Sequence, residues 1–497
     1  MGMNTSFRND PRHAGYFAPM RFEADVFDCE VEGRIPSELD GAFYRVGPDP
    51  LYPPRFPDDA HLFHGDGHVG MFRISNGHCD YRSRYVRTPR YLADRSARRQ
   101  RFGNYRNPGT SEPAVRDLSG TVANTALIHN AGRLFVLKED SLPWEIDPVT
   151  LATRGTWDFH GGYKARTFSA HPKIDPVSGD LLTFGYEATG DLSDDVFYYV
   201  ISAEGHVKRE VRFKAPVVSM MHDMAVTRDH IVFNTCGFTT DAQWLARGKV
   251  HWGWDDALPT WVGILPRDGD AKDIRWFRGP NGAAVHLLNA ETIGSKVVVH
   301  APASDGNPFP FFPQRDGSPW NPATGRTLLR RWTFDLASRH DGWQEEILFP
   351  DIPGTLPRID ERFWSLPFRH AYVGYHDPSR PFDAARCGPV QTMYGRPTNC
   401  YARLDLHTGA SESYFVGDVH SLSEVQFVPR RPDSPEGEGY LIGHAAHFGE
   451  RCSELVILDA ARPAEGDIAR IRLPFRAHPQ VHGWWVDARQ LPLGTPV

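Results

Sequence analysis

The 497-residue chain has only six cysteines, Cys29, Cys79, Cys236, Cys387, Cys400 and Cys452, and no C-x-x-C pair among them. That absence argues against a cysteine zinc site and, in a chain of this size, against a disulfide framework. An excess of positive charge is also missing: 55 basic residues stand against 62 acidic ones, net −7, intermixed along the chain. No concentrated basic face is available for a nucleic acid. No stretch approaches the roughly 20 apolar residues of a membrane span. Met1 to Pro19 is polar and lacks the apolar core of a signal peptide, so a reducing cytosol is the expected compartment. Helical periodicity is nearly absent too, and 45 Gly and 41 Pro dispersed throughout would break long helices repeatedly.

What is present is a packed globular composition, 40% hydrophobic and 12% aromatic, over a length that suits several domains or one large all-β domain. Short β-branched and aromatic runs recur, such as Leu134-Phe135-Val136-Leu137 and Leu455-Val456-Ile457-Leu458. Many are followed by Asp with turn formers, at Asp147-Pro148, Asp175-Pro176-Val177-Ser178-Gly179, Asp335, Asp405-Leu406-His407-Thr408-Gly409 and Asp459. These read as hairpin tips. Tips that recur to both ends, with no linker between, favour a β-propeller over a pair of sandwiches. The expectation is one propeller domain over 1–497, with a loose segment at 1–20.

Among 23 histidines, four stand in unusual strings: Ala170-His171-Pro172, Met221-His222-Asp223, Val285-His286-Leu287 and Val481-His482-Gly483-Trp484. Neutral imidazole is the commonest ligand of redox metals, and four without matching cysteines point to iron rather than structural zinc. No single helix or loop could gather residues so far apart, but a propeller brings distant strands to a common axis. His64 and His68 imitate the i, i+4 pair of a zinc protease helix, yet Gly65-Asp66-Gly67 between them breaks a helix and supplies no general base. His61, His300, His370 and His478 are expected to be structural.

The strings carry more than the spacing. Gly41-Ala42-Phe43-Tyr44-Arg45-Val46-Gly47-Pro48, Phe63-His64-Gly65-Asp66-Gly67-His68, Ala170-His171-Pro172-Lys173-Ile174-Asp175, Met220-Met221-His222-Asp223, His286-Leu287-Leu288-Asn289-Ala290 and Leu473-Pro474-Phe475-Arg476 follow one another in order. Together they resemble the carotenoid cleavage oxygenase superfamily over roughly residues 20 to 488. The resemblance implies an all-β, seven-bladed propeller with loops and short helices capping an axial Fe(II), and cleavage of an alkene by O2 into two carbonyl compounds. It implies that His171, His222, His286 and His482 are the ligands. Glu139 and Glu424 match carboxylates that orient ligand imidazoles, Thr355 stands where a third is usual, and Thr125 matches a residue beside an open metal position. Tyr105 and Lys138 match the pair that binds the 4-hydroxyl of a stilbene in the lignostilbene dioxygenase branch. Phe63, Phe309 and Phe311 match its aromatic wall.

A physical reason supports that branch: a buried lysine needs a partner, and a phenol that can ionise provides one, whereas a hydrocarbon carotenoid does not. Adjacent strand residues face opposite sides, so Lys138 and Glu139 require a twist or bulge to serve one site. The aromatic run Phe309 to Pro313 could instead dip into a membrane, but without flanking lysines a substrate wall fits better. Expected partners are a small aromatic alkene and O2, with no nucleic acid, and relatives suggest a homodimer. The rivals are an apocarotenoid oxygenase, with no role for Lys138, and a non-catalytic propeller scaffold.

Overall fold

The Asp-containing strings form hairpin tips for a shared reason. In the computed structural model, which describes residues 6–7, 13–56, 62–388 and 396–492, each aspartate carboxylate accepts backbone N–H groups of its own turn. Asp147 takes those of Val149 and Thr150, Asp175 those of Val177 and Ser178, and Asp405 those of His407 and Thr408. Asp335 and Asp459 do the same with Ala337 and Ala461. The carboxylate satisfies donors that the reversing chain would leave bare.

These hairpins build seven antiparallel sheets of four or five strands, the blades of a β-propeller. A small ribbon, Phe238–Thr239 with Gly253–Trp254, is added to the fourth blade's connection. The innermost strands, in ring order, are His482–Asp487, Ala126–Asn130, Lys173–Ile174, Met224–Val226, Asn289–Ile293, Thr355–Arg358 and His420–Pro429. The ring is closed from both ends of the chain. The last strand pairs with Gly41–Pro48 in the first blade (Tyr44 opposite Trp484), and the early strand Glu30–Gly33 pairs with Asp467–Arg472 in the seventh (Glu30 opposite Arg472).

Seven hydrophobic clusters fill the seven gaps between successive blades. Tyr44, Val46 and Met71 of the first blade, for example, meet Leu127, Val136 and Trp144 of the second. Each such side chain contributes about 1.5–3 kcal/mol by burial, so the core is a set of radial layers that leaves the axis free for polar groups. Strands in mid-blade are buried on both faces, as in Leu181–Tyr186 and Gly439–His447, which explains their continuous apolar runs.

The cap comes from three connections, 86–125, 236–258 and 304–327. The first holds the helix Pro89–Ala97, with Thr88 accepting the Tyr91 N–H and Pro89 in the opening turn. Of the segment 1–20, the described end makes these contacts: Phe17 is buried, the Met20 N–H donates to Asp49, and Arg476 donates to the Ala18 carbonyl. Phe17 packs edge-on against His478, and Met20 joins the apolar layer between the first and seventh blades. All six cysteines are free thiols. No helix among the described residues is long and apolar enough to cross a membrane. His300, His370 and His478 are buried structural residues, as expected; His61 lies outside the described residues.

Candidate metal centre

Each of the seven innermost strands delivers one site residue to the axis, six of them at its start or just before it and Glu424 from within it. In ring order these are His482, Thr125, His171, His222, His286, Thr355 and Glu424. Blade geometry thus gathers residues that no local motif could.

The four histidines converge so that one ring nitrogen of each lies within 4.8 Å of the others. His171 Nε2 and His222 Nε2 are 3.0 Å apart. With metal–nitrogen bonds of roughly 2.1 Å, two ligands of one metal ion stand about 3 Å apart, as this pair does. His286 Nε2 is buried with no hydrogen-bond partner, the state of a donor atom awaiting a metal. Burial and the neighbouring imidazoles hold His171 and His286 well below the usual histidine range, which keeps their lone pairs available. The donor set therefore fits a divalent metal ion.

Two carboxylates orient these rings. Glu139 accepts from His222 Nδ1, and Glu424 accepts from His482 Nδ1 at 2.8 Å. Burial opposes ionisation of Glu139, yet the His222 ring beside it brings its carboxyl down to about 2. Glu424 is held lower still, with burial again overcome, here by Arg358, whose Nη2 lies 2.9 Å away, and by His482. Only glycine fits next to that ligand: a Cβ at 483 would sit 2.7 Å from the Phe43 ring and 2.8 Å from Arg45 Cδ. Glu139→Gln is expected to weaken metal binding about 10- to 100-fold, the usual cost of losing a partner that orients a ligand. An Fe(II) titration checks this, and unchanged affinity would remove the role given to Glu139.

Among the described residues no carboxylate accepts from His286, consistent with Thr355 in the third position. Asp223 holds its string instead. One carboxylate oxygen takes Lys173 Nζ at 2.8 Å and the Met224 N–H at 2.7 Å, and the other takes the Leu287 N–H at 2.8 Å. Asp223 thereby ties together the strings of His171, His222 and His286. Its place directly after His222 was the one available signal.

A cavity of about 160 Å³ opens from the histidines. Tyr105 and Lys138 meet on its wall, with Lys138 Nζ 5.0 Å from the Tyr105 ring. The strand Arg133–Leu137 stops one residue before Lys138, and Lys138 to Ser141 form a turn. Strand alternation therefore no longer applies, and Lys138 and Glu139 both reach the site without the bulge that the sequence seemed to demand. Phe63 and Phe309 line the cavity as expected. Phe311 does not; it packs behind them, 5.3 Å from Phe63 and 5.1 Å from Phe309, and Phe312 takes the wall position. Thr125 and Thr355 also face the cavity. Phe17, Tyr186 and Trp252 line it as well, and the sequence singled out none of them.

The family model described as retinal pigment epithelial membrane protein (RPE65) matches residues 17–487. The chain belongs to this family, the carotenoid cleavage oxygenases. Among its relatives, lignostilbene-alpha,beta-dioxygenase isozyme III of Sphingomonas paucimobilis is 40% identical over 97% of this chain and 98% of its own. An isoeugenol monooxygenase of Pseudomonas putida is 39% identical over 97% and 99%. The crystal structure of Pseudomonas brassicacearum lignostilbene dioxygenase superposes with a TM-score of 0.93 at 41% identity, covering 98% of this chain and 100% of that one. Within the carotenoid cleavage oxygenases, then, the chain is similar over nearly its full length to enzymes named for lignostilbene and isoeugenol.

Proposed function

We propose that the protein is a non-haem Fe(II) dioxygenase that cleaves the central double bond of a 4-hydroxystilbene with O2, giving two aromatic aldehydes. The observation that carries this reading is the buried cation in the wall of an aromatic cavity. Lys138 is only 4% exposed, and its ammonium meets neutral oxygens: Asn124 Oδ1 at 2.9 Å, Thr125 Oγ1 at 3.4 Å and the Phe63 carbonyl at 3.5 Å. Burial lowers its proton affinity, and the Asp140 and Glu139 carboxylates nearby offset this only in part, since neither is hydrogen-bonded to the ammonium. A phenolate would complete the site.

Fe(II), held by His171, His222, His286 and His482, would supply the one-electron chemistry that lets O2 react with an alkene. The protein's own groups bind and polarise. Burial raises Tyr105 well above the ordinary phenol range, so it keeps its proton and donates to the substrate oxygen. Lys138 donates to the same oxygen, and two such donors favour the ionised phenol. Electron release through the conjugated double bond then enriches the carbon that reacts. Phe63, Phe309, Phe312 and Trp252 fix the ring planes and exclude water. Glu139 and Glu424 offset the charge of an ion bound by neutral ligands. Lignostilbene and isoeugenol, which name the relatives' activities, both carry a hydroxyl para to the alkene chain. Six free thiols suit a reducing, cytoplasmic setting.

Side-by-side assays of the Fe(II)-loaded protein on trans-4-hydroxystilbene, isoeugenol and an apocarotenal test the substrate class. Cleavage of the hydroxystilbene at the highest kcat/KM is expected. Turnover of the apocarotenal alone would end the stilbene reading, and no metal uptake at all would favour a binding scaffold.

A further inference from the structure

Behind the phenol-binding wall lies a buried charged cluster that the proposed reaction does not use. Arg106 Nη2 contacts Glu187 Oε2 at 2.6 Å, with their side chains 5% and 1% exposed, and also meets Asp191. His251, fully buried, places Nε2 3.0 Å from both Glu187 carboxylate oxygens. Its Nδ1 is buried without a partner, so the ring is anchored through Nε2 alone. Glu187, Asp191 and His251 are close enough to cradle a cation. The Arg106 guanidinium already contacts both carboxylates and supplies that charge, so the cluster is an internal ion network and not a second metal site.

Its position shows what it braces. Each of its three central members is the chain neighbour of an aromatic residue on the cavity wall: Arg106 follows Tyr105, Glu187 follows Tyr186, and His251 precedes Trp252. The backbones are joined as well, since the His251 N–H donates to the Tyr105 carbonyl at 2.9 Å. Tyr105 lies in a stretch outside regular secondary structure, and Arg106 and Glu187 both adopt left-handed backbone, each with φ of +49°. Non-glycine residues take that conformation rarely, and it persists where surroundings over-determine it. Asn104 and Asn107 dock the same stretch, their amides donating to the carbonyls of Gly248, Leu245 and Lys249. The Arg106 guanidinium lies 5.8 Å from the Trp252 ring, and His251 meets that ring edge-on at 4.4 Å.

We propose that Arg106, Glu187 and His251 are positioning residues that hold Tyr105, Tyr186 and Trp252 as one unit, and so set the cavity's selection for alkenes bearing a para-hydroxyl. This inference rests on the proposed stilbene reading for the identity of the ligand. A purely structural cluster would affect every ligand alike. A positioning cluster acts through the Tyr105 hydroxyl, and its removal should matter only while that hydroxyl is present.

The test is a double-mutant cycle of Glu187→Gln and Tyr105→Phe. Binding of trans-4-hydroxystilbene and trans-stilbene is read anaerobically by stilbene fluorescence on the Fe(II)-loaded protein. Glu187→Gln keeps an acceptor for His251 and removes the charge facing Arg106. It is expected to weaken hydroxystilbene binding about tenfold and stilbene binding less than about twofold, and in the Tyr105→Phe background its effect should fall below about twofold. Equal weakening of both ligands, or an undiminished tenfold effect without the Tyr105 hydroxyl, would overturn the proposal. If Glu187→Gln does not fold, His251→Gln, which leaves the Arg106–Glu187 pair intact, enters the same cycle with the same readouts. Aldehyde formation in air is followed separately. Coupling in the cycle without aldehydes would support the positioning role while overturning the proposed reaction.

Discussion

Replacing His286 with alanine is expected to remove both tight iron binding and alkene cleavage. The other three imidazoles would remain in place, since Glu139 fixes His222, Glu424 fixes His482, and Asp223 still ties the neighbouring strings. The loss would fall on the donor set itself. Partners that merely orient a ligand are worth about 10- to 100-fold in affinity, so loss of a ligand should exceed about 100-fold, with turnover falling in step. Metal analysis after loading, together with an Fe(II) titration, reads the first effect, and product formation reads the second. Stoichiometric iron and unchanged turnover in His286→Ala would separate the histidine cluster from the chemistry. Thermal unfolding should not worsen without metal, because His286 Nε2 has no protein partner to lose.

The second large effect is expected from Lys138→Met, which keeps the side chain's length and removes its charge. Truncating one member of a buried charged pair costs about 2–5 kcal/mol in binding, and kcat/KM for 4-hydroxystilbene should fall by roughly 30- to several thousandfold. Stilbene lacking the hydroxyl should be handled no worse than by the wild type. The variant should have similar stability, since removing the ammonium relieves its desolvation while giving up its attraction to Asp140 and Glu139. A fall in turnover shared equally by both substrates would point to a packing defect and remove the electrostatic role.

How much of this was legible in the residues depends on the range of the interaction concerned. The hairpin tips were, because an Asp with turn formers acts within its own few residues. The histidines, Glu139 and Glu424 were legible through their strings, and the seven-fold ring then explained their spacing. Lys138 and Glu139 posed a conflict only because the apolar run before them gave no sign of where the strand stops. Phe311 and Phe312 exchanged places because a run of aromatics with prolines has no fixed periodicity to say which ring faces inward. Phe17, Tyr186 and Trp252 were missed for another reason: the N-terminal segment, the end of a third-blade strand and the cap meet only across the cavity, and no local pattern records that. Asp223 sat inside a quoted string and Arg358 three residues after Thr355, yet what they bind lies on other blades.

The most direct measurement is product identification from the Fe(II)-loaded protein given trans-4-hydroxystilbene in air. The expected result is 4-hydroxybenzaldehyde and benzaldehyde in equal amounts, with trans-stilbene itself cleaved far more slowly. Absence of both aldehydes, or equal cleavage of the stilbene without the hydroxyl, would contradict it.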